Sequence, residues 1–252
     1  MEKSQGTRGT TGHTRTQAAV FAAKAWLHRF RRTVFQPGVP HFQKCTRPDA
    51  TPLGAESRTP LRANSHPAEQ RLQEGKVRNL SVAARFLDGL RIPANQTFSF
   101  WRHVPRPMRS AGFTEGRELR EGCIIPSVGG GLCQLSNALY SATLDFGCEI
   151  IERHAHSRVV PGSATEAGRD ATVFWNYVDL RFRPRHDLWL EVTLTGDALL
   201  VRFHGKAHSA FSSSRASSAQ AAAIAARSCE TCDEQTCFRH REFHGANRGC
   251  ED

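Results

Sequence analysis

Apolar residues recur at helical spacing in two stretches of the chain. Seven positions form a broad stripe in the first stretch, and five lie on one face of the second. They are Val77, Leu80, Val82, Ala83, Phe86, Leu87 and Leu90, and then Leu132, Leu135, Leu139, Ala142 and Phe146. We expect one helix from about Gly75 that ends before Arg91-Ile92-Pro93. The second helix should end at Gly147, which is suited to the C′ position.

Segments rich in β-branched and aromatic residues predict strands on both sides of the second helix. These segments are Thr97–Trp101, Glu149–Arg153, Ala171–Trp175, Val178–Phe182, Leu188–Thr195 and Leu199–Phe203. Gly196-Asp197 indicates a hairpin between the last two. Arg102–Arg120 is expected to be a basic loop, and Cys123–Ile125 a short apolar segment. The order favours an α+β fold in which helices pack on an antiparallel sheet.

Composition and charge divide the 252 residues into four parts. Residues 1–74 form a basic N-terminal arm and a proline-rich connection that we expect to be irregular, and residues 75–206 form the folded domain. Residues 207–228 are an Ala/Ser-rich linker, and residues 229–252 are a cysteine-rich tail. The net charge of +10 is concentrated in the arm, where seven Lys and Arg residues precede residue 37. We therefore expect no nucleic-acid groove on the domain.

Residues 17–32 can form a short basic amphipathic helix. It either packs on the domain or lies on an anionic membrane surface, and the sequence leaves both readings open. We find no apolar run of about 18 residues and no secretory signal at the N-terminus. The sequence therefore predicts a cytoplasmic protein, with peripheral membrane contact through residues 17–32 as the alternative.

Three glycines, Gly129, Gly130 and Gly131, stand immediately ahead of the second helix and its cysteine, Cys133. A glycine run leaves backbone N–H groups accessible, and a helix N-terminus favours a thiolate. Helical spacing places Cys133 on a polar face, away from the leucines. The other residues of that face are Ser136, Asn137 and Tyr140.

Histidines and acids follow the cysteine in the order typical of a Cys-His-Asp site of the papain or transglutaminase type. The candidates are His154 or His156 for the base and Asp170 or Asp179 for the orienting acid, and period-two alternation puts Glu152 and both histidines on one face. The glycine-loop amides would stabilise an oxyanion. The expected reaction is acyl transfer from an amide, or its hydrolysis, with a peptide of the cell wall as the expected substrate.

Other readings of the same residues remain open. Cys133 can be a packed thiol that the glycines accommodate, or it can bind a metal with His154 and His156. An arginine cluster can clamp an anionic ligand or form surface ion pairs. The candidate ligand-binding residues are Gly129, Gly130, Gly131, Gln134, Ser136, Tyr140, Arg153, Arg158 and Arg169.

The C-terminal tail contains cysteines at the spacing of metal ligands. Cys229, Cys232 and Cys237 are separated by two and four residues, and His240 or Cys250 would complete the set. We expect zinc there, with an iron–sulfur cluster as the less favoured cofactor and a disordered, reduced tail as the metal-free alternative. Cys45, Cys123, Cys133 and Cys148 are then single thiols.

Several motifs in one order resemble the VanW family. They are Asn95–Phe100, Gly112-Phe113, Gly129–Tyr140, Glu149–Ser157 and Gly168–Val173, and the resemblance spans roughly residues 77–205. It implies an association with glycopeptide resistance and the cell envelope but no settled activity. The chain departs from many members in lacking an export signal, and at Ser136-Asn137, where a Ser-Thr-Thr run is common.

Two functions follow from the motifs and the resemblance together. The domain is either a cysteine-dependent enzyme that acts on a cell-wall peptide, or a non-catalytic module. The module would bind a wall precursor or a protein partner through the same glycine loop.

Overall fold

The computed structural model describes residues 39–62, 69–120, 123–156, 167–175, 177–208 and 227–228, together with Ala23, Trp26, Leu27 and Phe30. The helices of the domain are α1 (Gln70–Leu87), α2 (Phe100–His103) and α3 (Leu132–Phe146). The strands are β1 (Leu53–Pro60), β2 (Arg91–Ile92), β3 (Phe98–Ser99), β4 (Glu115–Arg120), β5 (Cys123–Val128), β6 (Glu149–Glu152), β7 (Arg181–Arg183), β8 (Leu188–Leu194), β9 (Ala198–His204) and β10 (Arg227–Ser228). None of the helices in these residues is long and apolar enough to cross a bilayer.

The largest sheet has the order β1-β9-β8-β2, and all its neighbours are antiparallel. Leu188, Leu190 and Val192 of β8 are buried, whereas the residues between them are only partly buried. This alternation is expected for a strand with one face on the core. The tight turn between β8 and β9 closes with Thr195 N donating to Ala198 O at 2.8 Å.

Two smaller sheets complete the fold, with the orders β3-β7-β6 and β10-β5-β4. Helix α3 packs on β1 and β9 of the main sheet, while α1 packs on β4 and β8. Aromatic side chains fill the space between the sheets: Phe98 stacks on Phe182 with their ring centroids 4.7 Å apart, and Phe182 contacts Phe203. One hydrophobic core therefore joins the main sheet to the helices.

The predicted α+β class, both long helices and the β8–β9 hairpin are confirmed. The proline-rich segment before residue 67 was expected to be irregular, but it contributes β1, which pairs with β9 along its whole length. Helix α1 begins at Gln70, and Phe86 of the predicted apolar stripe is 41% exposed. The buried face of α1 instead includes the polar residues Gln73, Lys76 and Asn79.

Three other local predictions were wrong. The expected basic loop ends at Glu115, where β4 begins and pairs with β5. The expected strand at Thr97–Trp101 stops after Ser99, because the Ser99 hydroxyl caps α2 by accepting a hydrogen bond from Arg102 N. Ala171–Trp175 forms only an isolated bridge between Phe174 and Val178. The linker and the cysteine-rich tail lie outside the described residues, apart from β10.

Three glycines let α1, β4 and the loop before α3 approach closely. A Cβ at Gly75 would lie 1.8 Å from the Glu115 carbonyl oxygen, and one at Gly116 would lie 2.5 Å from the Gly130 carbonyl oxygen. Asn79, fully buried, joins the same elements: its amide donates to the carbonyl oxygens of Thr114 and Gly130 at 2.9 and 3.0 Å. The position of the loop before α3 is thereby fixed against α1.

Replacement of Gly75 tests this contact. Within a helix, Gly→Ala usually stabilises a protein by up to about 1 kcal/mol, but the Gly75→Ala methyl group would overlap the β4 backbone. We expect the free energy of unfolding to fall by roughly 2–3 kcal/mol in urea denaturation. Gly196→Ala is the matched control, because no atom lies within 4 Å of its added Cβ. Equal effects of the two substitutions would contradict the packing argument.

Candidate functional site

The glycine loop places Cys133 in the first turn of α3. Gly131 is the N-cap residue with a φ of 101°, a left-handed conformation that a side chain would strain. Leu132 N donates to Gly129 O and Gln134 N donates to Gly131 O. Among the described residues, no backbone carbonyl accepts a hydrogen bond from Cys133 N, as is usual for the first N–H groups of a helix.

The segment that follows Asp170 packs against the polar face of α3. The Ser136 hydroxyl donates to Ala171 O, and Asn137 Oδ1 accepts from Ala171 N at 2.8 Å. The thiol of half-buried Cys133 lies 3.7 Å from Val173 O. Ser136 is completely buried, so the predicted polar face is a contact surface within the domain. The leucines of the opposite face are core residues, as predicted.

Asp170 and His156 form a tightly bonded pair beside that face. Asp170 Oδ2 accepts from His156 N at 2.6 Å and contacts His156 Nδ1 at 2.8 Å. The Asp170 side chain is 4% exposed and that of His156 is 20% exposed. The Cys133 side chain also lies near enough to His156 to contribute to the raised pKa of the imidazole. The structure thus brings together Cys133, His156 and Asp170.

The charge state of His156 follows from these contacts. Burial alone would lower the pKa of His156, but hydrogen bonds and charge attraction from Asp170 and Cys133 outweigh it and raise the pKa to about 9. Burial also disfavours ionised Asp170, yet the bonds from His156 and the charge of Arg153 hold the pKa of Asp170 below its usual value. At neutral pH the pair is an imidazolium and a carboxylate.

Arg153 orients Asp170 from the other side. Its Nη2 donates to Asp170 Oδ1 and its Nε donates to the Asp170 carbonyl oxygen, both at 2.7 Å. The guanidinium also lies over the ring of Tyr140, 5.1 Å from the centroid. Such a fork holds a carboxylate in one orientation. Arg153, a candidate for binding an anionic ligand, is engaged by Asp170 in this structure.

The alternative histidine and acid lie apart from this group. Strand β6 ends at Glu152, so the expected alternation stops there, and the exposed ring of His154 contacts Glu152 Oε1 at 3.3 Å. Asp179 accepts hydrogen bonds from the Ser99 hydroxyl and from Trp101 N. Within the described part of the chain, no His, Cys, Asp and Glu side chains are grouped as metal ligands. Cys133, His154 and His156 are therefore not grouped as metal ligands in the described structure.

The remaining predicted residues make structural contacts or lie outside the description. Gln134 donates to Thr59 Oγ1 and Pro60 O, which ties α3 to β1. Arg169 donates to the carbonyl oxygen of Ser141 and to Asp145 on α3, so it too is engaged by the protein. Arg158 and the tail residues Cys229, Cys232, Cys237, His240 and Cys250 fall among the residues that are not described.

Sequence reasoning missed the polar residues of α1 that face the glycine loop. A Cβ at Gly131 would lie 2.1 Å from Lys76 Cγ, so the Lys76 side chain passes directly over the start of α3. Gln73, one turn earlier on α1, is 3% exposed. One feature of the sequence could have revealed these residues. Gln73 and Lys76 are three residues apart and lie between two core leucines, Leu72 and Leu80, so they share a helix face close to the packed one.

Comparisons with known proteins agree with these motifs. A family model described as VanW like protein matches residues 75–204. The Vancomycin B-type resistance protein VanW of Enterococcus faecalis (strain ATCC 700802 / V583) is 37% identical over 130 residues, which are 50% of this chain and 46% of the relative. The uncharacterized protein YoaR of Bacillus subtilis (strain 168) is 34% identical over 114 residues, which are 45% of this chain and 37% of the relative.

The match therefore spans less than half the length of either relative. A search of the solved structures found no match.

The raised pKa of His156 predicts a pH-dependent stability. The pKa of histidine in an unfolded chain is about 6.5. In the folded protein the pKa of His156 is about 9. Its contribution is therefore fully present below pH ~6.5 and is lost as the pH rises through about 9. We expect the difference in free energy of unfolding between wild type and His156→Gln to shrink by on the order of 1–3 kcal/mol across that window.

Urea denaturation at pH 6 and pH 9.5 measures this difference. His154→Gln is the matched control, because His154 is half exposed and does not contact Asp170. A His156→Gln effect of the same size at both pH values would contradict the assigned imidazolium.

Proposed function

The chain belongs to the VanW family, and we propose that in this member Cys133, His156 and Asp170 form the site of a cysteine-dependent acyl-transfer or hydrolysis reaction on a peptide. The observation that carries the proposal is the arrangement of His156. Its Nδ1 lies 2.8 Å from buried Asp170, and Cys133 is near enough to contribute to the raised pKa of the imidazole. An acid that orients an imidazole beside a nucleophile is the arrangement that covalent acyl transfer uses.

The charges beside Cys133 suit a sulfur nucleophile. With His156 protonated, two cations, His156 and Arg153, face the single carboxylate of Asp170. The N-terminus of α3 adds the positive end of a helix dipole next to Cys133. An imidazolium and a helix N-terminus are the surroundings in which reactive cysteines are found.

The reaction would proceed in two steps. The Cys133 sulfur attacks the carbonyl carbon of the peptide bond, and the oxyanion that forms is held by the Cys133 amide. The C–N bond then breaks, and the His156 proton goes to the departing amine. Water, deprotonated by His156, next attacks the thioester carbon and releases the acid and the thiol. An amine in place of water would give transpeptidation.

The substrate class is proposed from the relatives. One relative carries the name of a vancomycin B-type resistance protein, so we propose a peptide or precursor of the bacterial cell wall. The second candidate is a non-catalytic module that binds such a precursor. The hydrogen bonds around Asp170 support this second candidate, because they hold the segment that carries His156 in place and such a role needs no reaction at Cys133.

Selective alkylation separates the two candidates. At pH 6.5 we expect iodoacetamide to modify Cys133 at least about tenfold faster than exposed Cys45, because the proposed nucleophile lies beside His156 and at a helix N-terminus, whereas Cys45 does neither. Peptide mapping by mass spectrometry measures each thiol in the same sample. His156→Gln should reduce Cys133 to the rate of Cys45, whereas His154→Gln should leave it unchanged.

Buried Cys148 is the internal negative control, because burial raises the pKa of its thiol to about 12. If Cys133 reacts no faster than Cys45 in a protein shown to be folded, the enzyme proposal fails and the binding module remains. A Cys133→Ala variant that retains the phenotype of the wild type would lead to the same conclusion.

A further inference from the structure

Two polar side chains on neighbouring turns of α1 are buried, and that of Lys76 lies against the start of α3. Gln73 is 3% exposed and Lys76 is 7% exposed. Neither the amide nitrogen nor the amide oxygen of Gln73 has a hydrogen-bond partner. Among the described residues, no ion pair or hydrogen bond joins the Lys76 ammonium to another group. We call Gln73, Lys76 and the adjoining N-terminus of α3 at Gly131 the Lys76 cluster.

The charges of described residues that act on Lys76 are positive. Burial lowers the pKa of Lys76, the charges of Arg117 and Arg62 lower it further, and the result is about 8. Among the described residues, no carboxylate forms an ion pair with Lys76, and buried Glu69 is paired with Arg117 at 3.1 Å. The N-terminus of α3 adds the positive end of a helix dipole, and no side chain caps it. A buried cation left among positive groups is costly unless an anion joins it.

The cluster adjoins the proposed reaction site. The stem of Lys76 lies against Gly131, and Gly131 is two residues from Cys133 on the same loop. A ligand held at the start of α3 would therefore extend from the Lys76 cluster toward the thiol. Lysine and an amide together supply a charge and two N–H donors, which suits a carboxylate.

We propose that the Lys76 cluster binds the C-terminal carboxylate of the peptide on which Cys133 acts. The inference rests on the proposed function for the identity of the ligand as a peptide. It assigns Lys76 and Gln73 the role of selecting peptides with a free C-terminus. Gly131 is then required for two reasons, since its φ starts the helix and its missing side chain leaves room for Lys76.

Binding is tested with the full-length Cys133→Ser protein, so that turnover does not interfere. The probes are N-acetyl-alanyl-alanine of both chiralities, the corresponding C-terminal amides, and inorganic phosphate, each titrated calorimetrically at constant ionic strength. We expect the carboxylate peptide of one chirality to bind at least about tenfold more tightly than its amide. Lys76→Met should reduce this affinity about tenfold or more, while exposed Lys206→Met should not change it.

The same variants give a second readout in the absence of ligand. The buried Gln73 amide has no partner, and burial and two arginines disfavour the charge of Lys76, so removing either group should stabilise the free protein. We expect Gln73→Leu and Lys76→Met each to raise Tm by about 2–4 °C. A lysine with a structural partner would lower Tm on substitution instead. The readout thus separates a ligand-binding residue from one that only holds the fold.

Any of four results would overturn the inference. The peptide and its amide bind equally, Lys76→Met leaves the affinity unchanged, phosphate alone binds, or both variants lower Tm. If the wild type cleaves amidated peptides as fast as free ones, the inference fails while the proposed function stands. If the Cys133→Ser protein binds the carboxylate but wild-type Cys133 is unreactive, the inference stands while the proposed function fails.

Discussion

The close backbone contact at Gly75, Gly116 and Gly130 is the constraint on which the rest of the site depends. No side chain fits where α1, β4 and the loop before α3 meet, because the carbonyl oxygens of one element occupy the Cβ positions of another. Asn79 then satisfies the backbone groups of two of these elements at once. Both the nucleophile candidate and Lys76 extend from elements held at this contact, so their separation is set by backbone packing and not by flexible side chains.

The charged groups around α3 fall into two kinds. Asp170 is surrounded by donors from His156 and Arg153, and every one of its oxygens is engaged. Lys76 is almost as deeply buried, but the described charges that act on it, Arg117 and Arg62, are positive. Burial of a compensated charge fixes a geometry, whereas burial of an uncompensated one is costly and favours the binding of an anion. The start of α3 therefore lies near one completed charge network and one incomplete one.

The sequence predicted what local periodicity controls. The leucine stripe of α3 appears directly in the residue pattern, since one face of the helix packs on the core. The β-branched and aromatic residues of β8 and β9 likewise identify these two segments as strands. The two histidines could not be ranked, because the turn of the chain after Glu152 depends on the carboxylate of Asp170, fourteen residues beyond His156. The buried polar face of α1 was equally hidden: Asn79 finds its partners 35 and 51 residues away. Ala171–Trp175 has the composition of a strand, but Ala171 bonds to α3 side chains.

Strand β1 lies outside the stretch that the VanW model matches, yet it completes the main sheet by covering β9. Residues Leu199, Val201 and Phe203 of β9 are all buried. A protein trimmed to begin at residue 75 would turn β9 into a bare edge strand with unpaired N–H and C=O groups, which is a template for aggregation. It would also remove Thr59 and Pro60, which anchor Gln134 beside the thiol. The structural unit that contains the matched residues therefore includes β1 and begins before Leu53, not at the boundary of sequence similarity.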